Sequence, residues 1–434
     1  MSNAIAVQEK RFVRLIPSNN ATSGFAPTGA QPIIRFSVAD TQAMVHMKDA
    51  RLNFKFTASN AAGAPALGQD INVDPIMGMC SVMDQVIISS RRHGTQLEQV
   101  VNLGRLESSY YRSKFSPKMM SSCQYHQSKA VGLGRKNRYA GTFMSATPAA
   151  DRRSVAQRKA LVGEQEISIP LHAGIFLTDE PLDLSAVGGL EIAIYLQKDS
   201  AVFFGGDGNI GTLTYSLTDV SLTLPFLYKS MDMIQATAGE SMVEYLNWTS
   251  LYSVLDSTVS SVAHRISMAG LVSAIHNTLP TAQLNNTAFN QLALKSTAPE
   301  RLTFQRDGMR APLEKVMVAA DTFTAPAGDK ATTYPEMLTE YLSAWGPPKD
   351  LRFSQVIPEL VKGSSDRDGV FGLGCNFSPN SSGINVSGVL SIDLQSKLED
   401  KTTPDATQTE PYALFSYYLS RQSYMMGPAG IKAL

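Results

Sequence analysis

Histidine and cysteine are the residues through which this sequence could most readily bind a metal ion or perform nucleophilic chemistry. A zinc site needs these residues at short spacing, and a helix-borne site sets two histidines four residues apart beside a carboxylate. Neither spacing occurs, and an odd, scattered set of cysteines is not a disulfide framework. We therefore expect no metal and no cofactor, with the cysteines as buried or idle thiols. The residues concerned are His46, His93, His126, His172, His264, His276, Cys80, Cys123 and Cys375.

Two further stretches superficially resemble binding loops. GGDGNIG, residues 205–211, is rich in glycine but lacks the Lys-Ser/Thr ending of a phosphate loop, and no helix pattern follows it. SSDRDG, residues 364–369, offers two carboxylates without the spacing of a calcium loop. Both are predicted to be turns, and no catalytic residue is assigned. A carboxylate pair brought about 5–10 Å apart by the fold, as in a glycosidase on a β-sandwich, stays open as an alternative.

Charge is unevenly distributed along the chain. The whole sequence balances 38 Lys and Arg against 38 Asp and Glu, yet residues 91–160 carry fourteen cations and three anions. An excess of eleven positive charges in one segment indicates either solvated loops or contact with nucleic acid, an acidic membrane surface or an acidic neighbouring subunit. The candidate interaction patch within this segment consists of Arg135, Lys136, Arg138, Arg152 and Arg153.

The elements that would position these residues are mainly strands. Apolar and polar residues alternate with a period of two, which is typical of strands that bury one face. Pro170 has no backbone N–H to donate to a neighbouring strand. It therefore indicates that its strand lies at a sheet edge or ends at this residue. The clearest stretches are QPIIRFSVAD (31–40), RLNFKFTAS (51–59), VMDQVIISS (82–90), ISIPLHAGIF (167–176), GGLEIAIYLQ (188–197) and TYSLTDVSLTLPF (214–226).

Two segments are predicted to be helical. The segment LEQVVNLGRLESSYYRSKFS (97–116) places Leu103, Leu106 and Tyr110 on one face. TTYPEMLTEYLSAWGPP (332–348) has Pro335 in its first turn and a Gly-Pro-Pro stop. No apolar run approaches the roughly 18 residues of a membrane span, and the first twenty residues lack the apolar core of a secretory signal. We therefore expect a soluble protein made inside the cell.

Length and composition predict two domains. A chain of 434 residues exceeds the usual single domain of about 100–200 residues. Residues 1–30 are predicted to be a polar, irregular N-terminal arm, residues 31–230 a first β-sandwich with the basic loop region 91–160, and residues 231–434 a second β-sandwich. Within the second, MDMIQATAGESMVEYLNWTS (231–250) is interpreted as a connection and residues 425–434 as a tail.

Taken in order, these stretches resemble a known family. QPIIRFSVAD and VMDQVIISSRRHGTQLEQVVNLGRL are similar to the first sandwich of the double jelly-roll major capsid proteins of the adenovirus and tectivirus lineage, and most similar to those of polinton-like viruses and virophages. ISIPLHAGIF, GGLEIAIYLQ and YSLTDVSLTLPFLY resemble its closing strands. HRISMAGLVSAIHNTL and LTFQRDGMRAP resemble the early part of the second sandwich. The resemblance covers most of the chain by pattern and order.

This resemblance implies an all-β fold of two tandem eight-stranded jelly-roll β-sandwiches with long loops and a few short helices. It implies a major capsid protein that is not an enzyme and has no small-molecule substrate. Homotrimers of pseudo-hexameric outline would tile an icosahedral virion shell beside neighbouring capsomers, penton and minor capsid proteins, with contact to the genome or an internal membrane. The alternative is a tandem β-sandwich carbohydrate-binding or adhesin-type protein, which would normally carry a secretion signal.

Overall fold

The computed structural model defines strands and helices in both halves of the chain. The residues that the structure describes are 7–19, 24–29, 31–39, 42–59, 78–114, 164–203, 213–229, 241–255, 261–280, 299–306, 316–318, 322–324, 330–333, 335–345, 359–361, 373–377, 384–396, 412–427 and 430–433. The stretches GGDGNIG and SSDRDG, predicted as turns, lie outside these ranges, as do Cys123 and His126.

Ten strands of the described residues lie before residue 230. Their buried and half-buried side chains alternate, because successive residues of a strand point to opposite faces. The strands are β1 (Val7–Leu15), β2 (Ile33–Val38), β3 (Ala43–Val45), β4 (Arg51–Ser59), β5 (Met83–Ser90), β6 (Gln96–Val100), β7 (Gln165–Pro170), β8 (Leu182–Asp183), β9 (Leu190–Leu196) and β10 (Thr214–Lys229). The helices are α1 (Leu103–Lys114), α2 (Leu184–Val187) and α3 (Asp199–Val202), with 3-10 helices at Met47–Asp49, Gly78–Val82 and Gly174–Leu177.

The first half is a sandwich of two antiparallel layers. One layer is a six-stranded sheet in the order β7-β4-β10-β3-β8, with β1 also paired to β10. The other layer runs β6-β5-β9-β2. Fully buried side chains of both layers, such as Phe36 on β2 and Phe56 on β4, belong to one continuous core. Each such side chain contributes about 1.5–3 kcal/mol on burial, so this core holds the layers together.

The second half contains the longest strands. The described elements are β11 (Ser241–Leu255), β12 (Ser261–Pro280), β13 (Pro299–Arg306), β14 (Val316–Val318), β15 (Thr322–Thr324), β16 (Lys330–Thr333), α4 (Pro335–Ala344), β17 (Glu359–Val361), β18 (Leu373–Asn376), β19 (Ile384–Ser396), β20 (Tyr412–Gly427) and β21 (Gly430–Ala433). Eight of these strands belong to one sheet: six follow the order β14-β13-β19-β12-β20-β11, β18 pairs with β12, and β21 pairs with β20. Strands β15, β16 and β17 form a separate three-stranded sheet.

Strand β12 changes partners along its length. Its first residues pair with β19, and residues from Leu271 onward pair with β20. Between them Gly270 has a φ of +62°, and a Cβ atom there would collide with the carbonyl oxygen of Arg421. The bend therefore requires glycine, because an L side chain would be strained by the dihedral angle and blocked by the neighbouring strand.

The two halves share one sheet. Strand β6 of the first half pairs with β11 of the second in parallel, through Gln99 and Thr249, so the second-half sheet continues into the β6-β5-β9-β2 layer. The buried core is also continuous, since Trp248 and Tyr417 of the second half belong to the same cluster as the first-half core.

Most of the predicted elements are confirmed. The six clearest strand stretches correspond to β2, β4, β5, β7, β9 and β10, and β7 is an edge strand that ends at Pro170. The end of ISIPLHAGIF was wrongly predicted as strand, because residues 174–176 belong to the 3-10 helix Gly174–Leu177. Helix α4 begins at Pro335, and the predicted face of α1 is buried through Leu103 and Leu106. Cys80 and Cys375 are buried, as predicted, and neither forms a disulfide bond.

Four further local predictions are wrong. Residues 97–100, predicted as helix, belong to strand β6. Residues 7–15 of the predicted irregular arm form β1, which pairs with β10. The predicted connection at 231–250 includes the start of β11, and the predicted tail contains β21. In the first three cases a partner strand lies far away in sequence, so tertiary pairing decides the structure, whereas β21 pairs with the neighbouring strand β20. The domain boundary near residue 230 stays a prediction, since residues 230–240 lie outside the described ranges.

Candidate functional site

The predicted basic patch lies outside the described residues. Its members are Arg135, Lys136, Arg138, Arg152 and Arg153, within residues 115–163. The described part of the basic region, residues 91–114, is divided between surface and interior. Arg91 and Arg92 are exposed at the turn between β5 and β6, whereas Arg105, Glu98 and Glu107 are buried. Arg105, which was counted in the basic segment, is therefore buried and does not contribute to a positive surface.

Those three buried charges mark a polar contact between the halves, which we call the seam. The seam consists of β6, α1 and the 3-10 helix Gly174–Leu177 on the first-half side, and of β11, β12, β20 and α4 on the second-half side. A protein made of two sandwiches depends on the contact that joins them. Among the described regions, we therefore treat the seam as the candidate functional site.

Glu98 connects both sides of the seam. Its Oε1 accepts hydrogen bonds from the backbone N–H groups of Gly174 (2.7 Å) and Trp248 (2.8 Å), and its Oε2 accepts one from Ile175 (2.9 Å). The side chain belongs to a residue only 1% exposed. Burial raises the pKa of the Glu98 carboxyl to about 7, although the three backbone N–H groups act in the opposite direction.

Gly174 makes this approach sterically feasible. A Cβ atom at this position would lie 2.8 Å from Oε1 of Glu98 and 2.9 Å from both Cα and N of Asn247. Real Cβ atoms do not come so close to backbone atoms, so a larger residue would push the 3-10 helix away from β11. The main chains of the two halves are therefore in direct contact at this point.

Helix α1 is recognised by polar side chains of the second half. Tyr417 donates its hydroxyl to the carbonyl of Asn102 (2.8 Å), just before the helix. Asn277 donates to the carbonyl of Arg105 (3.1 Å) and accepts from the hydroxyl of Ser109 (2.7 Å). These buried groups are paired across the seam, which fixes the position of the helix, because an unpaired buried polar group costs about 1–3 kcal/mol.

Arg105 lies within the same contact. Its guanidinium carbon is 4.3 Å from the ring centroid of Phe415, a cation–π geometry. Burial lowers the pKa of Arg105 to about 10, so the group stays charged at neutral pH. This arginine therefore joins α1 to β20 and is not available to bind a polyanion.

A histidine–carboxylate pair and the rings of one tyrosine and two tryptophans fill the rest of the seam. His172 Nδ1 lies 2.8 Å from Glu107 Oε2, and the ring of Tyr110 packs 4.7 Å from the imidazole. Trp345 follows the last residue of α4. Its ring centroid lies 5.6 Å from that of Tyr110, in an edge-on arrangement, and 5.8 Å from that of Trp248. Burial, reinforced by Glu107, raises the pKa of Tyr110 to about 12. The phenol is thus neutral, and the cluster is a packing contact.

A second buried polar cluster lies within the second-half sheet. Ser253 Oγ is 2.7 Å from His264 Nε2, and His276 Nδ1 is 2.8 Å from Ser416 Oγ. Tyr418 lies between the two imidazoles, with its hydroxyl 3.4 Å from His264 Nδ1. Desolvation lowers the pKa of both histidines, that of His276 to about 3, so both are neutral at pH 7.

The second cluster does not complete a catalytic triad. A serine nucleophile needs an imidazole base that is oriented by a carboxylate. In the described contacts His264 is oriented by the Tyr418 phenol. Within the described ranges, no group of three His, Cys, Asp or Glu side chains is arranged to hold a metal ion. No helix of this part of the chain is long and apolar enough to span a membrane.

The surface of the first half exposes apolar side chains near the N-terminus. Phe12 on β1 is 66% exposed and Ile16, just after it, is 71% exposed. Beside them, Arg14 donates to Ser221 (2.8 Å) and lies 3.4 Å from Asp219, at the edge of a cleft of about 470 Å³. This edge of the six-stranded sheet presents both apolar and charged groups to the surroundings.

Sequence reasoning missed the seam residues. Glu98 and Gln99 lie between Leu97 and Val100, a local pattern that fits an exposed helical position as well as a buried strand position. Asn277 and Gly174 carry no motif. The sequence around Glu98 therefore gave no signal of its burial, which depends on the partner strand.

Comparison by sequence gives no relative. No protein-family model matches this chain, and no curated protein matches it.

Comparison by structure gives clear matches. A chain of the 3.5 Å Sputnik virophage structure matches with a TM-score of 0.56 at 10% identity, covering 99% of this chain and 88% of that chain. The Faustovirus major capsid protein matches with a TM-score of 0.55 at 12% identity, covering 96% and 90%. The capsid model of the virus PBCV-1 matches with a TM-score of 0.54 at 11% identity, covering 98% and 96%.

The fold is a double jelly roll. The matches extend over 96–99% of the chain, and they confirm the fold class predicted from the sequence. At identities of 10–12% they establish the architecture, while residue-level roles must come from the contacts of this chain itself.

Proposed function

We propose that this chain is the major capsid protein of a virus and that it acts by self-association. The observation that carries this proposal is the structural match over 96–99% of the chain to virus and capsid structures. A fused pair of sandwiches whose halves share one sheet and one core is a rigid building unit, as a shell requires. The carbohydrate-binding alternative is not favoured, because the three matched structures come from viruses.

The unit of assembly we propose is a homotrimer with pseudo-hexameric outline. Each chain would contribute two sandwiches, so three chains present six similar corners. Obligate interfaces of this kind bury about 2,000–5,000 Å² and are relatively apolar. Neighbouring capsomers, penton and minor capsid proteins would complete an icosahedral virion shell, with contact to the genome or an internal membrane. The protein would act without catalysis and without a small-molecule substrate.

The mass of the purified protein in solution tests this proposal. Light scattering after size exclusion should give a stable species near three times the chain mass of 47.0 kDa. Electron microscopy should then show larger closed particles at high concentration. A clean monomer that never assembles would overturn the capsid proposal, and glycan screens would then test the carbohydrate-binding alternative.

The basic segment is proposed to lie at a shell surface or subunit contact. Reversing Arg135, Lys136 and Arg138 to Glu changes the local charge by six units, which should lower particle yield severalfold and weaken the dependence of assembly on salt. The matched control exchanges Arg for Lys and Lys for Arg at the same positions, which keeps the charge. Equal yields and equal salt dependence in both variants would contradict this role.

A further inference from the structure

The turn between β5 and β6 is firmly attached to the rest of the first half. The backbone N–H of Ser90 donates to the carbonyl of Thr95 across the turn (2.8 Å). The Ser90 hydroxyl donates to the carbonyl of Val187 at the end of α2 (2.6 Å). The backbone N–H of Arg91 donates to the carbonyl of Gly189, just before β9 (3.1 Å). These contacts fix the conformation of the turn before any partner binds.

Two adjacent arginines of this turn, Arg91 and Arg92, lie against a pair of glycines between α2 and β9. A Cβ atom at Gly188 would lie 2.5 Å from Cβ and 3.2 Å from Nε of Arg92, and one at Gly189 would lie 3.6 Å from Cβ of Arg91. Both glycines have a positive φ, +76° and +83°, which L side chains rarely adopt. The glycine pair therefore gives both arginine stems room beside its main chain.

The charges of Arg91 and Arg92 have no counter-charge among the described residues. Both side chains are exposed, and no described carboxylate forms an ion pair with either of them. The carboxylates on the adjoining elements have other contacts, since Asp183 caps the start of α2 and Glu191 lies 3.8 Å from Arg35. The turn therefore presents two adjacent positive charges to the surroundings.

Most other described cations on the surface of the first half are paired with a carboxylate. Besides the pair on β2 and β9, these ion pairs are Lys10–Asp49, Arg11–Glu9, Arg14–Asp219, Lys48–Asp179 and Lys55–Glu164. A paired cation has little net charge to offer an anionic ligand. The contrast makes the turn between β5 and β6 the candidate site for an anion on this part of the chain.

The turn lies at one end of the first sandwich. Ser90 is paired with Leu190, the first residue of β9. Just after the last residue of β9, the carbonyl of Gln197 accepts from the Tyr215 hydroxyl near the start of β10 (2.6 Å). The start of β10 lies beside the end of β4, and β4 pairs there with Gln165, where β7 begins. The turn is therefore at the opposite end from the strand that follows the basic segment, and a site there can be tested separately.

We propose that Arg91 and Arg92 form a docking site for the phosphodiester backbone of a nucleic acid. Arginine suits this ligand, because its planar guanidinium stays charged and presents a fork of N–H donors that matches two phosphate oxygens. Two such groups on a fixed turn can contact neighbouring phosphates without the turn itself having to become ordered. The inference rests on the proposed capsid function for its biological partner, the genome, but the contact itself needs no assembled shell.

The composition of the turn favours a nucleic acid over a membrane or a protein. Its exposed residues are polar or glycine, namely Arg91, Arg92, Gly94, Thr95 and Gln96. A membrane-binding segment inserts apolar side chains or collects about four to eight cations, and a protein interface has an apolar core. A nucleic acid requires neither, because each phosphate that is neutralised releases counterions and so adds to the affinity.

Fluorescence anisotropy with a labelled DNA duplex tests the site on the full-length protein, kept below the concentration at which larger particles form. Arg91→Ala combined with Arg92→Ala should weaken binding severalfold at about 50 mM salt, with a smaller loss at about 200 mM. The slope of log affinity against log salt concentration should become shallower by about 1.8, since each lost phosphate contact removes about 0.9.

Two further variants separate a local contact from net charge. Arg11→Ala combined with Arg14→Ala removes the same charge from arginines of the other sheet that already pair with a carboxylate. It should leave the slope unchanged and the affinity within about twofold, because salt screens charges more than about 10 Å from the ligand. Arg91→Lys combined with Arg92→Lys should keep the slope but lose part of the affinity, since an ammonium cannot form two parallel N–H bonds to phosphate.

Three results would overturn the site. A wild type without salt-dependent affinity for the duplex means that the chain does not dock on phosphates. Equal affinities or equal losses in the two double alanine variants mean that Arg91 and Arg92 have no special contact. A loss of binding to vesicles of anionic phospholipid that equals or exceeds the loss for DNA assigns the turn to a lipid surface. Because these measurements use unassembled protein, they are distinguishable from a failure of capsid assembly.

Discussion

Glu98 at the seam and His276 in the second-half sheet are both buried, yet burial shifts their pKa values in opposite directions. The pKa of the Glu98 carboxyl rises to about 7, mainly through desolvation, while that of the His276 imidazole falls to about 3 for the same reason. In both cases the dry environment favours the neutral form. The neutral form of a carboxyl is the protonated one, and that of an imidazole is the deprotonated one.

The consequences for stability are therefore opposite. Glu98 has a raised pKa, so its contribution is fully present below about pH 4.5 and is lost as the pH rises through about 7. His276 has a lowered pKa, so its contribution is present above about pH 6.5 and is lost as the pH falls towards 3. Mild acid should tighten the contact between the halves while it weakens the sheet of the second half.

The comparison also separates two ways of holding a buried polar group. Glu98 depends on main-chain donors from both halves, so its geometry is set by how closely the halves approach. His276 depends on the Ser416 side chain across one β-ladder, so its geometry is set by the register of β12 and β20. Changes in backbone distance should affect the first site, and changes in side-chain chemistry should affect the second.

We expect the largest loss of stability from a substitution that prevents the main chains of the two halves from coming into contact at the seam. Gly174→Val introduces atoms where a Cβ would already lie 2.9 Å from the backbone of Asn247. We expect a loss of about 3 kcal/mol or more of unfolding free energy, since neither main chain can yield without breaking the hydrogen bonds to Glu98. Urea unfolding followed by fluorescence of the two tryptophans would measure it.

A matched glycine provides the control for this effect. Gly94 has a φ of +64°, and a Cβ there would meet no atom within 4 Å. Gly94→Ala should therefore cost only about 1–2 kcal/mol, from backbone strain alone. If Gly174→Val were no more destabilising than Gly94→Ala, the close main-chain contact that defines the seam would be absent in solution.

A smaller effect is expected from removing the imidazole of the second cluster. Below pH 6.5 each pH unit costs the wild type about 1.4 kcal/mol through His276, because the unfolded chain binds a proton that the folded chain does not. In His276→Asn, whose amide can still reach Ser416, this contribution disappears. The difference in unfolding free energy between wild type and variant should therefore narrow steadily between pH 6.5 and 5.

Substitution of an accessible histidine is the appropriate comparison. His46 lies at the 3-10 helix Met47–Asp49, near Asp49 and the carbonyl of Asp179, and is only partly buried. His46→Asn therefore controls for the loss of an imidazole as such. A constant gap between the wild type and His276→Asn across this pH range would show that His276 is protonated in the folded state.

The sequence allowed the fold to be predicted where the signal is local. The alternation in GGLEIAIYLQ appears as the buried and half-buried pattern of β9, and Pro335 begins α4 as predicted. The sequence pattern failed to predict strands that are formed mainly by pairing with a distant partner strand. Residues 7–15 and 241–250 are polar enough to look irregular, but β10 and β20 supply them with hydrogen-bond ladders.

The seam could not be predicted for a physical reason. Glu98, Gly174 and Trp248 are separated by more than seventy residues from one another in sequence, and none belongs to a motif. The Glu98 carboxyl becomes informative only when the groups that donate hydrogen bonds to it are known. The double jelly-roll architecture was predicted through the resemblance of several stretches to a known family, whereas the polar contacts that join its halves depend on distances that periodicity does not contain.

We expect the smallest loss of stability from a substitution at Ser253, which also tests whether this serine of the second cluster has a catalytic role. Ser253→Ala removes the hydroxyl 2.7 Å from His264 Nε2 at a partly buried position, where water can replace it. The loss should be about 0.5–1.5 kcal/mol, the net value of an ordinary hydrogen bond. If the serine were instead an activated nucleophile, the wild type would react with a fluorophosphonate probe and the alanine variant would not. We expect neither to be labelled, because the described contacts orient His264 through a neutral phenol, which cannot stabilise an imidazolium as a carboxylate does.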